Sequence, residues 1–175
     1  GNDMSADAVS YAIEYTKAED TPTYYWLPFL SSPNEEGCVL TASSEYSGNY
    51  QMEYAFNGLV NNYWACAVSD SQRWVQVQLP YALRNITVKL VSPQGSAVQT
   101  ANIPVSGSFQ GSNDGSSWAA LGSYSGRSAT AGSVSTHALN NAGGYKYLRI
   151  SITSPGASSG VWTGFGDIRI EGEVA

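Results

Sequence analysis

The stretch RWVQVQL, residues 73–79, alternates apolar and polar side chains, with Trp74, Val75, Val77 and Leu79 set against Arg73, Gln76 and Gln78. Successive side chains of a strand point to opposite faces, so this period of two reads as a half-buried β-strand. The pattern recurs on both sides of it. CVLTAS (38–43), ITVKLV (86–91), KYLRISIT (146–153) and DIRIEGEV (167–174) read the same way. GSFQGS (107–112) is a further short strand that runs into NDGSSW (113–118), where Asn113-Asp114-Gly115 is a tight-turn signal, and SEYSGNY (44–50) is turn-like. No helical periodicity follows residue 60, and no internal repeat is present. Short strands with Gly, Ser, Asn and Pro between them predict an all-β protein, an antiparallel β-sandwich or jelly roll.

Composition agrees. The 175 residues suit one domain with a sizeable core, and 42% apolar residues mark a globular chain. Only 13% are charged, about half the usual share, while Gly (18) and Tyr (12) are frequent, as in secreted or surface β proteins. The net charge of −6 resides in residues 1–36, where seven acidic side chains face Lys17 alone. Residues 37–175 are balanced and carry no basic stripe, which argues against nucleic acid and anionic membrane as partners. No apolar run approaches the ~20 residues of a membrane-spanning helix. Cys38 and Cys66 fit no zinc spacing; two buried thiols are the preferred reading, a disulfide in a secreted protein the alternative.

Residues 1–36 form an acidic, aromatic N-terminal segment or linker ahead of the body. DAVSYAIEYTKAED (7–20) fits a short helix or a strand equally. TPTYYWLPFLSSPNEEG (21–37) mixes Pro22, Pro28 and Pro33 with Tyr24, Tyr25, Trp26 and Phe29. Its prolines exclude a central strand or a helix interior. Its aromatics are expected to pack on the body, or else to contact a neighbouring domain of a larger chain.

Five stretches in order carry a family pattern: TASSEYSGNYQMEYAFNGLVNNYWA (41–65), RWVQVQL (73–79), GSFQGSNDGSSWAAL (107–121), YKYLRISI (145–152) and GDIRIEG (166–172). Over residues 37–175 they resemble the coagulation factor 5/8 type C, or discoidin, domain, a family that includes the family 32 carbohydrate-binding modules. The resemblance implies an eight-stranded antiparallel jelly-roll sandwich that binds sugars or lipid headgroups and is not an enzyme. It implies a core of Trp64, Trp74 and Trp118 with Phe56, Leu79, Leu148 and Ile150. Trp26 and Trp162 are left over, the latter in ASSGVWTGFGDIRIEG (157–172), among glycines and serines.

The resemblance implies two sites. Relatives hold a structural calcium between an AFDG loop and the last strand. The matching positions are the carbonyls of Tyr54, Leu59 and Gly166 and the side chains of Asn57, Asn62 and Asp167. Calcium takes six to eight oxygens. Here Asn57 replaces the usual Asp and Asp167 the usual Glu, so one carboxylate remains, with Glu53 the nearest spare. A sodium ion or a metal-free, hydrogen-bonded loop is the alternative.

The sugar-binding end of relatives matches residues 46–51, 92–102 and 154–166, which offer Tyr46, Asn49, Tyr50, Gln94, Gln99, Asn102 and Trp162. A flat aromatic suits the C–H face of a sugar and amides suit its hydroxyls. Galactose-binding relatives place a His after the core Trp and an Arg in the middle loop. This chain has Ala65 and no Arg in 92–102, which leaves the sugar class open. Trp162 is expected either as a sugar platform or as a lid over the core.

Catalysis is not expected. His137, the one histidine, reads as a solvated loop residue, and no carboxylate pair or Ser/Cys–His–Asp set is evident. The predicted role is a non-catalytic carbohydrate-binding module at an extracellular, cell or virion surface, with glycan as partner. The alternative is a protein-binding or structural assembly module such as a tail-fibre or adhesin domain. Lipid-headgroup binding is disfavoured because the three loops lack Arg and Lys.

Overall fold

The computed structural model describes residues 20–155 and 161–175. The helix-or-strand alternative over 7–20 and part of the 154–166 loop therefore lie outside the described residues. In chain order the strands are β1 (Tyr24–Trp26), β2 (Asn34–Glu35), β3 (Cys38–Ala42), β4 (Trp64–Ala65), β5 (Trp74–Val91), β6 (Pro104–Ser112), β7 (Ala119–Tyr124), β8 (Val134–Ala138), β9 (Tyr145–Pro155), β10 (Gly164–Phe165) and β11 (Asp167–Val174). Helical structure among the described residues is confined to two short 3-10 turns, Met52–Ala55 and Thr100–Asn102. All strand pairs are antiparallel.

The fold is the predicted antiparallel jelly-roll sandwich. Strand β5 builds both of its layers. Its first half pairs with β3 and β9, and β9 continues through β6 to β7. Its second half pairs with β11 and β8. The register with β9 shifts between Gln78 and Leu83, around Pro80, which has no N–H to give a ladder. A strand that changes sheet at such a bend forms the corner of a sandwich.

The alternation that predicts the strands also sorts the core. Val75, Val77 and Leu79 of β5 are buried, as are Ile86, Val88 and Leu90 beyond the bend, and Phe109, Leu148, Ile150, Ile168 and Ile170 across from them. Phe56 and Trp64 close the core at the loop end. Each fully buried large apolar side chain contributes about 1.5–3 kcal/mol. Cys38 and Cys66 are buried and unpaired.

Trp74 and Trp118 depart from the expected core. In β5, Trp74 falls on the side of Gln76, opposite Val75, so it lies half-buried on the outer face. There the Arg149 guanidinium stands 4.0 Å from the Trp74 ring centroid and 4.0 Å from that of Trp118. Arg149 also donates to Gln76 Oε1 at 2.9 and 3.1 Å. His137 likewise departs from a solvated loop. It is on β8, half-buried, 5.3 Å from Phe109 and 5.8 Å from Tyr124 between ring centroids.

The aromatic strap is hydrogen-bonded into the sandwich upstream of residue 37, where composition suggests a boundary. β1 extends the layer at the edge of β11, β2 pairs with β3, and Leu27 and Leu30 enter the core. Tyr25 packs against that core and touches Cys38 Sγ at 3.3 Å, whereas Trp26 and Phe29 are each 65% exposed.

Candidate functional site

The β4–β10 bridge gathers the loops at one end of the sandwich. Phe165 pairs with Trp64 and Gly164 with Ala65. A Cβ on Gly164 would stand 1.7 Å from the Trp64 carbonyl oxygen, so only glycine permits this approach. The Tyr46 N–H donates to Ala65 O (2.8 Å) and the Cys66 N–H to Thr163 O (2.9 Å), which brings the 46–51 loop and the segment from 161 together.

Four aromatic rings meet there. Trp162 stacks on Tyr63, with centroids 5.1 Å apart and planes at 18°. Tyr50 lies 5.6 Å from Trp162 and 5.3 Å from Tyr63, and Tyr46 meets Tyr50 edge-on at 5.3 Å. Partial burial, reinforced by Tyr50, pushes the Tyr63 hydroxyl up to about 12, so it stays protonated as a hydrogen-bonding group. Beside the rings is a depression of about 260 Å³, lined by Tyr46, Gln99, Asn102 and Trp162 together with Val68, Ala97 and Val161.

Of the predicted ligand residues, Tyr46, Tyr50, Gln99, Asn102 and Trp162 come together at this end. Asn102 is only 4% exposed, and both ends of its amide are engaged. Its Oδ1 accepts the Gln99 N–H (2.8 Å), and its Nδ2 donates to the Trp162 carbonyl (2.8 Å). The Thr163 hydroxyl donates to Asn102 O (3.0 Å). Asn102 therefore holds the backbone that carries Trp162.

Two predicted residues do not join the depression. Gln94 packs over Gly132 in the neighbouring 125–133 loop, and Asn49 is exposed, its own N–H turned to Ser47 Oγ. Tyr63, Val68, Ala97 and Val161 were not anticipated. Alternation about the buried Trp64 is the sequence signal that turns Tyr63 outward.

Among the described residues, no ionised side chain lines this depression. Asp70, in the adjoining loop, is engaged elsewhere. It accepts from the hydroxyls of Ser43 and Ser44 and from the N–H groups of Gln72 (2.7 Å) and Arg73 (3.1 Å). Burial opposes its ionisation, but these hydrogen bonds outweigh burial and hold it below its ordinary value of 3.8. The arrangement offers an aromatic wall and neutral polar groups.

The predicted calcium ligands divide. Tyr54, Asn57, Leu59 and Asn62 line a shallow depression under Phe29, whose ring rests where a Cβ on Gly58 would be (2.5 Å). Asn57 Oδ1 accepts the Leu59 N–H (3.0 Å), and its Nδ2 donates to Asn62 Oδ1 (3.0 Å). Asp167 begins β11 and Gly166 precedes it, both outside that lining, and the Gly166 N–H donates to Val91 O. Asp167 pairs with Arg169 Nη2 at 3.1 Å. Burial pushes the Asp167 carboxyl up, with the Arg169 charge pulling against it.

These residues do not fit calcium. Asp167 already has a cationic partner and lies apart from the other four side chains, whose depression holds Glu53 as its one carboxylate, and the amides of Asn57 and Asn62 are turned to each other. Like charges 4 Å apart repel by about 4 kcal/mol at an effective dielectric of 20, and a divalent ion doubles that.

The model of the F5/8 type C domain family matches residues 39–166. No curated protein matches the chain in sequence. Solved structures with the same fold include the F5/8 type C domain of a Bacteroides fragilis protein, 15% identical, with a TM-score of 0.66 over 89% of this chain and 100% of that one. The family 32 carbohydrate-binding module of Clostridium perfringens NanJ, solved with galactose, is 13% identical with a TM-score of 0.64 over 85% and 98%. Chitosan-binding module 1 of a Paenibacillus sp. IK-5 chitosanase/glucanase is 22% identical with a TM-score of 0.59 over 77% and 94%.

Proposed function

The chain belongs to the F5/8 type C domain family, and from that premise we propose that it is a non-catalytic carbohydrate-binding module whose site is the depression beside Trp162. The observation that carries this reading is the half-exposed indole of Trp162, backed by Tyr63 and Tyr50 and anchored through Asn102. A pyranose presents an apolar C–H face and a rim of hydroxyls. The indole matches the first, and Gln99 with the Tyr46 hydroxyl matches the second. The fold neighbours solved with galactose and from a chitosan-binding protein support sugar as the ligand class.

The uncharged lining favours a neutral glycan over uronic acids, sialic acids or polyglucosamine, which need an opposite charge. Such a module works at an extracellular, cell or virion surface, tethering a parent protein or particle to glycan. A glycan array with the wild-type chain and Trp162→Ala tests this. Binding of a neutral glycan that falls at least about tenfold in the variant, a loss of about 1.4 kcal/mol, is expected. No binding to any glycan at millimolar concentration overturns it.

A second reading, a docking module within a larger assembly, is favoured by the exposure of Trp26 and Phe29 on the strap. It requires self-association or partner capture that Trp26→Ser abolishes and Trp162→Ala does not.

A further inference from the structure

Arg169 lies between strap, loop and final strand and shares Asp167 with the set of expected calcium ligands. It lies on β11, facing outward beside Asp167. Its Nη2 donates to Phe56 O (2.9 Å) at the edge of the 52–59 loop and to Asp167 Oδ1 (3.1 Å). Its Nη1 donates to Leu27 O (3.3 Å) of the strap. The guanidinium carbon stands 4.6 Å from the centroid of the Phe29 ring, which rests on Gly58. Leu27 N–H and Leu30 N–H donate in turn to Ile170 O and Phe56 O, both at 2.9 Å. One planar cation thus joins three segments far apart in sequence by two carbonyls, one carboxylate and one ring.

That is the work of a loop-bracing metal ion done by a side chain. A guanidinium is permanently charged and directional, and it uses carbonyl and carboxylate oxygens as a hard cation does. The amides of Asn57 and Asn62 are turned to each other (3.0 Å), and the buried Arg169 Nε is left without a partner. We propose that Arg169 is the built-in cation of this module, standing in for a structural metal, and that fold and strap are independent of calcium.

The full chain tests this directly. Its melting temperature is expected to be the same, within about one degree, in excess chelator and in millimolar calcium, and calorimetric titration with calcium chloride to give no saturable heat. A saturable heat, or a calcium-dependent rise in melting temperature, overturns the proposal.

Arg169→Lys keeps the charge but not the planar fork. It is expected to lower the melting temperature by about 5 °C or more, with or without calcium. It should also speed hydrogen exchange at the Leu27 and Leu30 amides at least about tenfold relative to the β5–β9 ladder. Unchanged exchange at those two amides in Arg169→Lys overturns the bracing role. If that variant does not fold, the wild-type calcium titration still decides the question.

Discussion

Trp162 draws notice in the sequence because a large aromatic among glycines and serines has no local reason to be there. Its anchoring comes from Asn102, 60 positions away, through one hydrogen bond to its carbonyl. Asn102→Asp keeps the acceptor for Gln99 and loses the donor to Trp162. It is expected to cost about 1–3 kcal/mol, read as a lower melting temperature, and to weaken glycan binding severalfold in titration, although the amide has no free end for a ligand.

His137 carries a pH effect with a definite sign. Burial first, then the charge of Arg127, lowers its pKa from 6.5. Arg127 is itself buried and satisfied by neutral acceptors, among them Pro104 O and Ser135 Oγ, and Ser135 Oγ also bonds His137 Nε2 at 2.8 Å. The unfolded chain takes up the proton at about 6.5 and the folded chain only below that. Stability is therefore full above pH 6.5 and is lost as pH falls through the folded pKa. Thermal melts between pH 7.5 and 5 are expected to show this decline in the wild type and a smaller one in His137→Gln. Equal declines would remove His137 as the cause.

At the scale of elements, the strap and the outer face show where local pattern stops being informative. The prolines correctly exclude a central strand, and β1 and β2 are short strands beside β11 and β3. Leu30→Ala is expected to destabilise by about 2–5 kcal/mol, read as a lower denaturation midpoint, because its side chain is in the core. An effect below about 1 kcal/mol would show the strap to be merely laid on the surface.

On the other layer, Arg149 is clamped between Trp74 and Trp118, directly across from Gln76 in the ladder. Alternation assigns Trp74 to the outer face once Val75 is taken as buried, whereas the family resemblance implies a place in the core. Arg149→Ala is expected to cost about 1–3 kcal/mol from two ring contacts and the Gln76 bonds, measured by denaturation, with Arg149→Lys intermediate.

At the scale of the whole molecule, charge is sparse and the depression beside Trp162 is lined by neutral groups. Glycan affinity is expected to change less than about twofold between low and 0.5 M salt, since screening acts only on charges; titration calorimetry at the two salts checks this, and a steep salt dependence would point to a charged ligand elsewhere on the surface. Side-chain alternation and turn chemistry, which act between near neighbours, were enough for strands β3, β5, β6, β9 and β11, the Asn113-Asp114-Gly115 turn and most of the core, and not for the remaining strands or for the places of Trp74 and His137. Long-range packing places β5 in both layers, sets Tyr63 behind Trp162, leaves Gln94 and Asn49 aside, and brings Arg169 to Asp167, Phe56 and Leu27 together. Those contacts join residues up to 142 positions apart; they follow from how the two layers close on one another, which no local pattern encodes.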